Sequence, residues 1–227
     1  GWSIRADALA VQPDGKYVVA GLAGPSSVRF ARFTSSGSVD TTFGGSNTGE
    51  ITVSFPGPTN ACDSPDIKGL AVQQDGTGRI VGVGDGICGA GGGLYSMILI
   101  GLTSAGVLDT NFYGQGIRVD NLGYNSLQMN ALSIPSGTTQ FLVAGTTIDA
   151  AGNKDMVVAR FTSFGQTANT FGASGKVLVD FGVNSQAFAV VHQPDASILV
   201  AGTATTATNP DDFALARLSS AGVLDTA

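Results

Sequence analysis

Short apolar runs alternate with polar turns along the whole chain. In "ALAVQPDGKYVVAG" (8–21), two such runs are joined by Pro13-Asp14-Gly15. Nearly the same phrase returns as "AVVHQPDASILVAG" (189–202). A third run follows in each case: "VRFARFTSSG" (28–37), "MILIGLTSAG" (97–106), "MVVARFTSFG" (156–165) and "FALARLSSAG" (213–222). A fourth closes three of the units: "GEITVSF" (49–55), "GIRVDNL" (116–122) and "GKVLVDF" (175–181). The runs are rich in Val, Ile, Leu and Phe and are bounded by Gly, Pro, Asp or Ser, the signature of strands. In "VRFARF", Val28, Phe30 and Arg32 fall on one face and Arg29, Ala31 and Phe33 on the other. No stretch sustains a helical period. The first hairpin has its turn chemistry in place, because Pro13 presets one φ angle and Gly15 accepts a positive one.

Gln12, Gln73, Ile134 and Gln193 mark the same point of four units, at steps of 61, 61 and 59 residues. A four-stranded unit of this size cannot bury both faces alone. Stacking the units does so, and the radial form of that stack is a β-propeller. A linear β-solenoid is the competitor, with shorter turns between strands. The expectation is an all-β, β-propeller-like single domain over 1–227, with repeats at 1–55, 56–122, 123–181 and 182–227. Each repeat is a four-stranded antiparallel sheet, and the last lacks its fourth strand.

The phrase running from "ALAVQPDGKYVVAG" through "FARFTSSGSVDTTFG" to a closing G-x-V-x-V-x-F-like run resembles the bacterial delta-60 repeat family, a β-propeller repeat of uncharacterised function. The resemblance recurs four times and covers the chain. Unit two departs most: Gly101 stands where Arg32, Arg160 and Arg217 stand in the others, and its middle is swollen with glycine. In unit three, "IPSGTTQ" replaces the Asp-Gly turn. Such repeats sit in large secreted or surface-attached bacterial proteins, so the resemblance implies an extracellular setting and names no ligand.

The strand count is uneven, because the first three run types occur four times and the fourth three times. Three arrangements account for this: a slice of a longer propeller, a four-bladed ring with one three-stranded blade, or a neighbouring molecule that supplies what is missing. In the last case the edge Phe213, Ala214, Leu215, Ala216, Arg217 and Leu218 is a template for strand addition. Copies joined head to tail in that way build a ring or a filament.

Composition narrows the chemistry. Only 12% of the 227 residues are charged, and the net charge is −6. Eleven Lys and Arg without a basic run leave no footprint for nucleic acid. No 18-residue apolar segment exists for membrane insertion as a helix. Cys62 and Cys88 flank the glycine-rich insertions of unit two and are read as a disulfide, the alternative being two buried thiols.

Candidate sites are few. The single histidine, His192, falls at a hairpin turn and has no sequence partner for a catalytic triad, so no catalytic residue is assigned. Asp14, Asp75 and Asp195, and likewise Asp40, Asp109 and Asp225, recur in the same turns, where short Asp side chains cap backbone N–H groups. Asp149, Asn153 and Asp155 form a weak calcium candidate in "DAAGNKD" (149–155) without EF-hand spacing, and no other metal and no cofactor is expected. Arg32, Arg160 and Arg217 lie among apolar neighbours and need partners, with the Asp eight residues on as the first candidate. That pairing fails at Gly101 in unit two and at Ala168 in unit three.

The segments between the second and third runs (22–27, 85–95, 146–155, 203–212) vary most and would share one end of a propeller. Trp2 and Tyr95 are candidates for stacking on a sugar, and the Thr-rich 203–210 for O-linked sugars. The reading is a non-enzymatic extracellular structural or interaction module whose partners are copies of itself. A carbohydrate-binding propeller is the alternative; the four segments repeat no aromatic position, which argues against it.

Overall fold

A computed structural model describes residues 5–55, 62–88, 93–135, 138–206, 209 and 211–226. Among them are fifteen strands and no helix. Blade one contains β1 (Ala8–Val11), β2 (Tyr17–Gly24), β3 (Ser27–Phe33) and β4 (Glu50–Ser54). Blade two contains β5 (Cys62–Val72), β6 (Ile80–Cys88), β7 (Tyr95–Leu102) and β8 (Ile117–Asp120). Blade three contains β9 (Ser126–Ser133), β10 (Phe141–Ile148), β11 (Lys154–Phe161) and β12 (Lys176–Val179). Blade four contains β13 (Ser185–His192), β14 (Ile198–Ala204) and β15 (Asp212–Leu218). Each sheet is an antiparallel meander in chain order, with four, four, four and three strands. This is the propeller-like fold with an incomplete last blade that the repeat pattern predicts.

The first strands of all four sheets line one open cavity of about 390 Å³, whose wall includes Leu9, Leu70, Leu132 and Phe188. Their course explains the most regular glycine of the repeat. A Cβ on Gly21, Gly84, Gly145 or Gly202 would lie 1.7–1.9 Å from a carbonyl oxygen in, or for blade one just before, the first strand: that of Arg5, Asp66, Gln128 or Gln186. In blades two, three and four the first strand also shifts register beside this glycine.

The core lies between the sheets. One cluster joins blades one and two through Val18, Ala20, Phe30, Ile67, Ile98 and Ile100. A second joins blades two and three through Val83, Leu99, Phe112, Met129, Phe141 and Phe161. A third joins blades three and four through Leu142, Val158, Val190, Val200, Ala216 and Leu218. Every blade therefore has a leading face toward the next blade and a trailing face toward the one before. In blade one the leading face carries Val18, Ala20, Val28, Phe30 and Arg32, which the β2–β3 register brings side by side.

Cys62 and Cys88 are directly opposed on β5 and β6 and form the disulfide. The variable segments are shorter than the sequence pattern implies, because strands extend into them. β2 runs to Gly24 and β3 starts at Ser27, while β10 runs to Ile148 and β11 starts at Lys154. Ladder bonds such as Ile148↔Lys154 continue there irrespective of side-chain hydrophobicity.

Candidate functional site

Each seam between blades is crossed by a guanidinium that donates to a carbonyl of the next blade, and the second seam is crossed as well by the buried Arg118, which donates to the Gly165 carbonyl (2.8 Å) and to Thr167 Oγ1 (3.0 Å). In blade one, Arg32 donates from Nε to Asp40 (2.9 Å), from Nη2 to Thr42 Oγ1 (3.0 Å) and from Nη1 to Gln12 Oε1 (3.3 Å). Its Nη1 also reaches the Ser104 carbonyl of blade two at 2.6 Å. Thr42, Lys16 and the Arg32 charge hold the Asp40 carboxyl well below the usual range against the cost of its burial. In blade two the guanidinium comes from Arg79. It donates to Asp109 (2.7 Å), to Gln73 Oε1 (3.0 Å) and to the Ser163 carbonyl of blade three (2.7 Å). Gly101, in the Arg32 position, clears space instead: a Cβ there would lie 2.3 Å from the Phe112 ring. Burial raises the Asp109 pKa, but hydrogen bonds from Arg79 and Asn111 outweigh it and the net shift is downward.

The third seam has the same cation without its acceptors. Arg160 donates from Nη1 to the Ser220 carbonyl of blade four at 2.7 Å and lies 4.4 Å from the Phe171 ring centroid. Ala168 occupies the Asp40 position and Ile134 the Gln12 position. In blade four Arg217 again pairs with its Asp225 (2.8 Å), and also with Asp195 (2.7 Å). No blade covers it, and 46% of its side chain is exposed.

A second fastening repeats beside the first. The rings of Phe43, Phe112 and Phe171 each press on a positive-φ glycine of the next blade, Gly106, Gly165 and Gly222. A Cβ on any of these would lie 2.4–2.8 Å from ring carbons. The backbone N–H groups of Gly44, Tyr113 and Gly172 donate across the same seams to Ala105, Phe164 and Ala221. Gly37 holds the matching place in blade one and has nothing within 4 Å of where a Cβ would be.

The two outer faces are the open halves of this seam. On blade four, Leu199, Ala201, Phe213, Leu215 and Arg217 occupy the positions of Val18, Ala20, Val28, Phe30 and Arg32. Phe30 is fully buried, whereas Leu215 is 64% exposed and Phe213 is exposed completely. On blade one, Leu9, Tyr17, Val19 and Phe33 occupy the positions of Val190, Ile198, Val200 and Leu218 of blade four. Those four are buried against blade three, whereas Leu9 is exposed and Tyr17, Val19 and Phe33 are half-buried. β15 is also a sheet edge, in the place where β4, β8 and β12 follow the third strand of the other blades.

The remaining candidates have local roles. His192 ends β13 opposite Ile198, one residue short of the turn, and its Nδ1 lies 3.1 Å from Ser133 Oγ. Burial, helped by the Arg160 charge, lowers its pKa to about 4. Asp14, Asp75 and Asp195 accept from the backbone N–H two residues on, as turn caps do. Asp149 is occupied by the N–H groups of Ala151 and Asn153 and by the Asn153 side chain. Asp149 and Asn153 thus brace one loop, while Asp155 lies on β11 opposite Thr147. Tyr95 begins β7 half-buried, and Trp2 lies outside the described residues, as do parts of 203–210. No helix is long and apolar enough to cross a membrane.

One family comparison agrees with the architecture. The family described as "Domain of unknown function (DUF5122) beta-propeller" matches residues 12–43 and 193–227. No curated protein matches the chain. Among solved structures, a gluconolactonase from Xanthomonas campestris matches at 13% identity and a TM-score of 0.42, over 95% of this chain and 59% of that one. The chain thus spans less than two thirds of that protein. The family match over these two segments and the strand topology together describe a β-propeller domain built from four repeated blades.

Proposed function

We propose that the chain is a non-enzymatic, extracellular interaction module of the delta-60 repeat kind, which joins head to tail with copies of itself. The observation that carries this is the pair of open faces: blade four offers the leading half of the seam and blade one the trailing half. A second copy fits these faces because each half already has its complement on the same chain. Arg217 would reach the carbonyl of Ser35, the counterpart of Ser104, Ser163 and Ser220. Phe213 and Leu215 would cover Leu9 and Val19. Burying each of the two leading side chains is worth about 1.5–3 kcal/mol before association entropy is subtracted. The edge of β15, Phe213–Leu218, adds backbone groups for strand pairing in the same contact. Such a joint is heterologous and propagates into a ring or a filament. The disulfide fits an oxidising, extracellular setting.

Light scattering after gel filtration tests the reading on the wild type, on Leu215→Glu (leading face) and on Leu9→Glu (trailing face). The wild type should grow in mass with concentration up to about 0.5 mM, while each variant stays near 22.8 kDa. An equimolar mixture of the two variants retains one intact face of each kind and should stop at a dimer. A wild type that remains at 22.8 kDa throughout, or a mixture that remains monomeric, overturns the proposal.

A further inference from the structure

The third seam encloses a cleft of about 720 Å³, within the range of small-molecule sites. It lies between the β9–β10 and β13–β14 turns, with Arg160 and Ser220 also in its wall. In the first two seams the cation is surrounded by a carboxylate, a glutamine and a carbonyl. Here the carboxylate position is Ala168, the glutamine position is Ile134, and only the carbonyl remains. Arg160 Nε and Nη2 therefore have no hydrogen-bond acceptor among the described residues. The cleft is lined by no carboxylate, and its other basic group, His192, is neutral at physiological pH. Ser133, Thr138, Gln140 and Gln193 add hydroxyl and amide groups, beside the apolar Ile134 and Pro194.

We infer that this cleft binds an organic carboxylate of sugar-acid size, whose carboxylate takes the place on Arg160 that Asp40 and Asp109 take on the other seam cations. A planar guanidinium with two open N–H groups matches a carboxylate in bidentate fashion. The hydroxyls of the ligand would meet Ser133, Thr138, Gln140 and Gln193. Arg160 keeps its bond to Ser220, so the ligand also tightens blade three against blade four. None of Leu9, Val19, Phe213, Leu215 and Arg217 lines the cleft, so binding does not depend on assembly, although Ser220 also borders the pocket beside Arg217.

His192, the only histidine, gives a single imidazole Cε1–Hε1 signal in a heteronuclear NMR spectrum. Titration with sodium D-glucuronate should move that signal saturably and raise its pKa from about 4, because the ligand offsets the Arg160 charge. The neutral methyl glucoside at equal concentration should leave it in place. Arg160→Gln should weaken binding at least about tenfold. Ala168→Asp restores the acid found in the other three units and occupies the cation from inside, so it should weaken binding at least as much in a protein of undiminished stability. The absence of a saturable shift with glucuronate, or equal affinity in Ala168→Asp, overturns the inference.

Discussion

Consider removing the Asp109 carboxylate. Its partner Arg79 is 5% exposed at the side chain, Asp109 is 11% exposed, and they meet at 2.7 Å in the second seam. Asp109→Ala leaves a guanidinium that cannot shed its proton, buried beside Phe164 with only Gln73 Oε1 and the Ser163 carbonyl to accept from it. Breaking a buried pair from one side costs about 3–5 kcal/mol, and the two surviving acceptors place this case near the lower end, at about 3 kcal/mol. Removing both partners should cost less than the sum of the single changes by about 2 kcal/mol, since Arg79→Ala takes away the stranded charge. Urea unfolding followed by far-UV circular dichroism measures all three variants. Asp225→Ala is the internal control: the same residue type sits in the same turn, but no blade covers its partner Arg217. It should not move the midpoint beyond experimental scatter. If Asp109→Ala is as mild as Asp225→Ala, the seam cation is solvated and the account of the seams is wrong.

Two further outcomes follow from the geometry. The Cys62–Cys88 bond closes a stretch of 26 residues, so replacing both cysteines by serine should cost about 3 kcal/mol through the freer unfolded chain; equal midpoints with and without reductant would contradict this. His192 titrates near 4 when folded and near 6.5 when unfolded, so the unfolded chain binds more protons between those values and stability is lost as pH falls from 6.5 towards 4. The full shift corresponds to about 3 kcal/mol, which partial solvent access reduces to roughly 1–2 kcal/mol. His192→Asn should flatten that part of the pH–stability curve, and an unchanged slope would reject the assignment.

The strands were legible because a period of two, bounded by Gly, Pro and Asp, survives in every unit. The Arg–Asp pairs of units one and four were legible too, since Arg32 and Arg217 stand eight residues before Asp40 and Asp225. Unit two concealed its pair. Its guanidinium arrives from Arg79, in the place of Lys16 on the neighbouring strand, and only the register of β6 against β7 brings it to Asp109. Both losses around Arg160 were visible as letters, Ile134 and Ala168, but their meaning needed the seam, which joins residues about sixty apart in sequence. The loops were read too long because a ladder continues on backbone bonds where side chains turn polar.

A phenylalanine that presses on the next blade and a glycine placed to receive the ring of the preceding one lie within each of the first three units, about six residues apart: Gly37 before Phe43, Gly106 before Phe112, Gly165 before Phe171. A gene segment encoding one such unit therefore carries a plug and a socket together. A tandem duplicate of that segment would bring the ring-to-glycine contact with it on both sides. The ring-to-glycine contact is thus the portable part of the joint, while the cation and its acceptors are set blade by blade.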